Sequence, residues 1–216
     1  MKDKIEYTNL INLTRKEIEA VIDFTNEHKP RALVVESGWA GLVRKKLDKK
    51  IKCISVGGYP FRDLDFALDI AVNDVDEFDM VIPINEYYIK NNLIAVSDAV
   101  TETKKRLGKK ILKVIIETAF IHNREYTITE LVKCVEDSGG DVIKTNTGRF
   151  HFRFIDKDNK RAKFFDDLIA DVIQIKQLTK LPIKAAGGIK TKEQAQQLID
   201  LGVSYIGTSR RYWIDN

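Results

Sequence analysis

The chain has 216 residues, 44% of them hydrophobic, which is enough for one full core and too few for a second sizeable domain, so residues 1–216 are expected to form a single unit. Its 36 Lys and Arg against 32 Asp and Glu leave a net charge of +4, a balance that predicts no nucleic-acid partner. The opening MKDKIEYTNL lacks the apolar stretch of a signal peptide and no run of about 18 uncharged apolar residues follows, so no membrane partner is expected and a cytoplasmic location is.

Short β-branched runs alternate with helical patterns along the whole chain, a rhythm that predicts a parallel sheet wrapped by helices. The first strand candidate is Lys4 to Tyr7. Thr14 then offers a helix cap with Glu17 placed to return the bond, and Ile18 and Ile22 stack on one face. Ala32 to Val35, Lys52 to Val56 and Phe78 to Ile82 are the next strands, and Ile89, Leu93, Val96, Val100 and Leu107 mark one long helix after them. Lys113 to Ile116 and Asp141 to Lys144 follow. Leu168, Val172 and Ile175 mark a further helix before Pro182 to Ala186. Thr191 caps the segment carrying Leu198 and Leu201, and Tyr205 to Gly207 is the eighth strand. Cys53 and Cys134 lie in or beside apolar runs, outside any metal-ligand spacing, and read as reduced, buried thiols. The basic runs Arg44-Lys45-Lys46, Lys49-Lys50 and Lys104-Lys105-Arg106 fall at helix faces or ends, where solvation and the helix dipole account for them.

Eight βα units in about 200 residues predict a (β/α)8 TIM barrel near the lower size limit of that fold. An open doubly wound sheet is the competitor. It is disfavoured because no Gly-rich phosphate fingerprint follows the early strands and the glycine turns concentrate late in the chain.

Two lysines stand out. Lys144 and Lys184 each end or interrupt an apolar strand, and the carboxyl ends of barrel strands open on the active-site mouth. Two ammonium groups sharing a partly dry cavity disfavour each other's charge, which makes Lys144 a candidate nucleophilic amine. Asp79, a carboxylate inside the apolar strand of EFDMVI, is the candidate partner and proton carrier. Thr147, Gly148 and Arg149 after the sixth strand, Gly187 and Gly188 after the seventh, and Gly207 and Ser209 at the eighth offer backbone N–H groups to an anion; the last two groups are expected to precede helix starts. His28, His122 and His151 are widely separated, so no metal site and no cofactor are expected.

The segments EFDMVI (77–82), VIIET (114–118), GDVIKTNTG (140–148), IKAAGGIKT (183–191) and IGTS (206–209) together resemble the deoxyribose-phosphate aldolases, and the resemblance covers nearly the whole chain. It implies a class I aldolase that reversibly cleaves 2-deoxyribose 5-phosphate to glyceraldehyde 3-phosphate and acetaldehyde, with a small phosphorylated sugar or aldehyde as its partner. It further implies Lys144 as the Schiff-base lysine, Lys184 as the lysine that lowers its pKa, Asp79 as the proton relay, and the late glycines with Ser209 as the phosphate cradle.

The first half departs from the family pattern. Glu6-Tyr7-Thr8 stands where an Asp-His-Thr-like segment is usual, and Val34 to Ser37 where a Cys-Val-x-Pro-like segment is usual. Pro83, Asn85, Arg62 and Arg210 are further departures. Two other readings therefore stand beside the first: a Schiff-base aldolase for different aldehydes, and a phosphosugar-binding barrel with little activity. Self-association as a homo-oligomer is left open, as is a part for Tyr212. The alternating aromatic and basic stretch Arg149 to Phe154 is not absorbed by the resemblance and reads as a loop at the mouth.

Overall fold

The computed structural model describes residues 1–10, 13–58, 60–61, 63–120, 124–148 and 163–214. Arg62, Arg149, the rest of the 149–154 stretch, His122 and His151 lie outside the described residues. All eight expected strands form: β1 Ile5–Asn9, β2 Ala32–Glu36, β3 Lys52–Gly57, β4 Glu77–Val81, β5 Ile111–Ile115, β6 Val142–Lys144, β7 Ile183–Ala186 and β8 Tyr205–Thr208. Every neighbouring pair is parallel, and β8 returns to β1 through the pairing Ile5↔Ile206, closing the sheet into a barrel. The strands are buried nearly throughout, as a wall filled with side chains inside and covered by helices outside requires.

Seven α-helices lie among the described residues: α1 Arg15–His28, α2 Ala40–Lys46, α3 Leu64–Ala71, α4 Leu93–Leu107, α5 Arg124–Asp137, α6 Lys163–Leu178 and α7 Lys192–Asp200. None is long and apolar enough to cross a membrane. The Thr14–Glu17 capping box forms at α1, and Thr191 forms another with Gln194 at α7. Thr191→Ala leaves first-turn N–H groups without a partner and is expected to cost about 1 kcal/mol, read as a melting temperature lower by roughly 3 °C.

Ile89 does not join α4. It ends a separate π-type turn over Asn85–Ile89 and is 76% exposed. Asn91 then takes a left-handed conformation (φ 54°), and the Asn92 side chain accepts from Ala95 N at 3.1 Å to start α4 afresh. Two consecutive asparagines thus interrupt a hydrophobic spacing that reads as continuous. A second difference lies after β8, where residues 212–214 form a turn and no helix is described.

Two of the basic runs, 44–46 and 104–106, have acidic partners. Arg44 reaches Asp76 (2.9 Å), Lys46 reaches Glu19 (2.8 Å), Lys104 reaches Asp141 (2.6 Å) and Arg106 reaches Asp65 (2.9 Å). Asp76 and Asp141 immediately precede β4 and β6, at the stabilising end of the barrel opposite the expected mouth. Cys53 and Cys134 are free and buried.

Candidate active site

Register brings the chemistry together before any side chain is considered. Lys144 on β6 is the cross-strand partner of Lys184 on β7. Thr145 fixes that pairing: its hydroxyl donates to Ala186 O (3.0 Å) and accepts from Ala186 N (3.1 Å). Asp79 comes from β4, across the barrel interior. Its Oδ2 accepts from Lys144 Nζ at 2.8 Å and from Lys184 Nζ at 2.6 Å, and all three residues are essentially inaccessible to solvent.

Beneath this triad lies a set of buried charges that sequence reasoning missed. Glu6 pairs with Lys184, Lys113 and Arg31; Glu77 pairs with Lys113 and Arg31; Lys113 also lies 3.9 Å from Asp79. Arg31 further stacks over the Tyr205 ring, with its guanidinium carbon 4.2 Å from the centroid. The signal for Lys113 was available, since a lone cation inside the apolar run ILKVI is the pattern that singled out Lys144.

The charges in this network are unequally shared among the amines. Among the described residues, Glu6, Glu77 and Asp79 supply three negative charges, while Arg31, Lys113, Lys144 and Lys184 could supply four positive ones. In a low-dielectric interior an excess of positive charge loosens the proton of the least compensated amine. Lys184 bridges Glu6 and Asp79, and Lys113 bridges Glu6 and Glu77, whereas Lys144 touches Asp79 alone among the described carboxylates. Burial, with Lys184 adding repulsion and Asp79 opposing, brings the Lys144 ammonium down to about 8. Lys184 moves the other way: burial opposes its charge, but Asp79 and Glu6 outweigh it and hold the proton on. Burial likewise works against the Asp79 carboxylate, yet Lys144, Lys184 and Lys113 together keep it ionised far below the usual range.

No known protein-family model matches the chain. Among curated relatives, the deoxyribose-phosphate aldolase of Mycoplasmopsis pulmonis is 31% identical over 202 residues, covering 90% of this chain and 85% of its own. That of Mycoplasmopsis synoviae is 34% identical over 206 residues, covering 91% and 86%. The chain belongs to the deoxyribose-phosphate aldolase family. A solved aldolase, QR15, superposes with a TM-score of 0.80 at 26% identity, covering 96% of this chain and 90% of its own. The deoxyribose phosphate aldolase of Aeropyrum pernix, described as tetrameric, shares the fold with a TM-score of 0.77 at 22% identity, covering 96% and 86%.

Within the family frame, the late glycines divide by role. Gly148, Gly187 and Gly188 all have φ between 73° and 91°, a region that suits glycine, and a β-carbon at Gly148 would lie 3.6 Å from Gly187 Cα. The loops after β6 and β7 therefore meet, with Thr147 beside Gly148 half-buried in the first of them. Gly207 lies inside β8, where a β-carbon would stand 3.1 Å from Lys184 Cε, so the missing side chain makes room for the lysine. Ser209 is exposed just beyond β8, and the neighbouring Arg210 N–H is committed to Thr208 Oγ1 at 3.0 Å. Tyr212 is half-buried in the turn that follows, and burial raises its hydroxyl pKa.

The family departure at Glu6 is also explained by packing. Its carboxylate enters the barrel and contacts Lys184, Lys113 and Arg31 at once, so it helps fix the charge of the lysine paired with Lys144 across the strands. Burial opposes its ionisation, but Lys113 and Lys184 reverse the balance and hold its pKa below the ordinary value.

Proposed function

We propose that the chain reversibly cleaves 2-deoxyribose 5-phosphate to glyceraldehyde 3-phosphate and acetaldehyde, with the Lys144 amine as nucleophile. The observation that carries this reading is an amine brought to about 8 by burial, 2.8 Å from a carboxylate that also holds a second lysine. The neutral amine attacks the aldehyde carbon of the open-chain sugar, and loss of water from the carbinolamine gives an iminium. The substrate hydroxyl two carbons away gives up its proton as the carbon–carbon bond breaks, and the electron pair passes to the iminium nitrogen to leave an enamine. Protonation of the enamine carbon and hydrolysis release acetaldehyde and restore the amine.

Proton movement is assigned to Lys184 and Asp79 together. Lys184 carries the proton at neutral pH, and ionised Asp79 Oδ2 is the acceptor shared by the two amines. Asp79 is therefore a bridge for protons and an anchor for charge, in place of a store that is itself protonated. Thr147, Gly148, Gly187, Gly188 and Ser209 are proposed to receive the phosphate, which the convergence of the β6 and β7 loops supports. By analogy with the tetrameric Aeropyrum pernix relative we include self-association, which light scattering measures directly.

Borohydride reduction during turnover of 2-deoxyribose 5-phosphate is expected to leave a stable adduct on Lys144, located by peptide mass mapping. Turnover without that adduct overturns the assignment. A binding barrel without chemistry would saturate with the sugar phosphate and yield neither cleavage nor adduct.

A further inference from the structure

Glu117 lies immediately past β5, in VIIET, and the mechanism above does not use it. It is fully buried and takes a left-handed backbone conformation (φ 50°), uncommon for a residue with a side chain. Its Oε2 accepts from Thr147 N at 2.9 Å, while Oε1 is buried with no hydrogen-bond partner among the described residues. Surrounding contacts hold the strained segment in place. Tyr88, from the turn after β4, donates its hydroxyl to Ile116 O at 2.7 Å and lies 3.4 Å from Glu117 O. Thr118 N donates to Thr145 O (3.0 Å), and Asn146 Oδ1 accepts from Ala119 N (2.8 Å) and Thr118 Oγ1 (3.2 Å). The loops after β5 and β6 are thus stitched together, with the Glu117 carboxyl group bonded to the residue before Gly148.

We infer that Glu117 is the positioning residue for the anionic end of the substrate: its carboxyl group holds the loop carrying Thr147 and Gly148, and the charge on that group sets affinity for a phosphorylated over an unphosphorylated sugar. The inference rests on the proposed function for the identity of the substrate. A neutral carboxyl group can accept the Thr147 N–H and adds no charge beside the loop. A carboxylate makes the same bond but repels a phosphate. Burial raises the Glu117 pKa to about 7, against the bonds from Thr147 and the nearby Lys144 charge, so both states are reached near neutrality. Of the titratable groups around it, Lys144 acts from β6 and Tyr88 from the turn after β4; Asp171 on α6 acts in turn on Tyr88.

Glu117→Gln tests this, because the amide keeps the size and an acceptor oxygen for Thr147 N–H but cannot ionise. Cleavage of 2-deoxyribose 5-phosphate and of 2-deoxyribose is compared in wild type and E117Q from about pH 6 to about pH 8.5, so that the substrate's own ionisation and that of Lys144 are common to both proteins. The expected result is equal KM for the phosphorylated sugar at the acidic end and about tenfold lower KM for E117Q at the alkaline end. The unphosphorylated sugar should show no such divergence, and kcat should change little. Equal KM values at the alkaline end, or a loss of kcat on both sugars alike, overturn the inference while leaving the proposed function intact. If wild type cleaves neither sugar, the proposed function fails and the inference with it.

Discussion

Lys144→Ala is expected to lower kcat for carbon–carbon cleavage by on the order of 10⁴-fold or more, because the covalent intermediate cannot form without the amine. The pH dependence gives the sharper version. In wild type acting on unphosphorylated 2-deoxyribose, whose KM does not follow the Glu117 charge, kcat/KM should rise as pH increases through about 8, where burial places the Lys144 ammonium, and level off above it. Lys184→Met removes the like charge that helps to lower Lys144 and leaves Lys144 as the one described amine hydrogen-bonded to Asp79 Oδ2. Both changes favour the Lys144 cation, so the rising limb should move to higher pH in this variant. A limb that stays in place, measured in steady state over the same pH range, would show that the two lysines are not electrostatically linked and would remove the basis for the charge argument.

The largest effect on stability is expected at Lys113→Met. Lys113 is wholly buried between Glu6 and Glu77, with Asp79 3.9 Å away, and its loss leaves Glu77 with Arg31, and Glu6 with Arg31 and Lys184, as their described cations. Breaking a buried ionic network by removing one member costs about 3–5 kcal/mol, which in a chain of this size lowers the melting temperature by about 10 °C. Calorimetry or thermal circular dichroism reads the change directly. A melting temperature within about 2 °C of wild type would mean that the carboxylates are satisfied some other way, and the charge balance described for the site would have to be abandoned. At temperatures where the variant stays folded, Lys144 should still form its borohydride adduct, since its ion pair is with Asp79, apart from the Glu6 and Glu77 carboxylates that Lys113 holds.

These two results separate what local sequence specifies from what distant contacts decide. The strands were legible because burial in a parallel barrel demands short apolar runs, and ILKVI, EFDMV and IKAA carry that signal wherever they occur. The caps at Thr14 and Thr191 were legible because a capping box is complete within four residues. Ile89 was misplaced because hydrophobic spacing persists across a break that only the Asn91 and Asn92 backbone makes.

By itself, then, the sequence determined the alternation of eight strands with helices, the presence of lone charges inside apolar strands, and a set of motifs specific enough to point to the family. Apart from the family resemblance, which points to Lys144, it gave no physical reason why one inward lysine rather than another would lose its proton most readily. That depends on how many carboxylates each amine meets, and the decisive pairs join residues far apart in the chain, such as Lys113 with Glu6, 107 positions away, and Lys184 with Asp79, 105 away. Closure of the barrel gives Lys184 two carboxylates and Lys144 one. Burial then acts on the less compensated charge, and that physical difference lowers the Lys144 ammonium to about 8 while Lys184 keeps its proton.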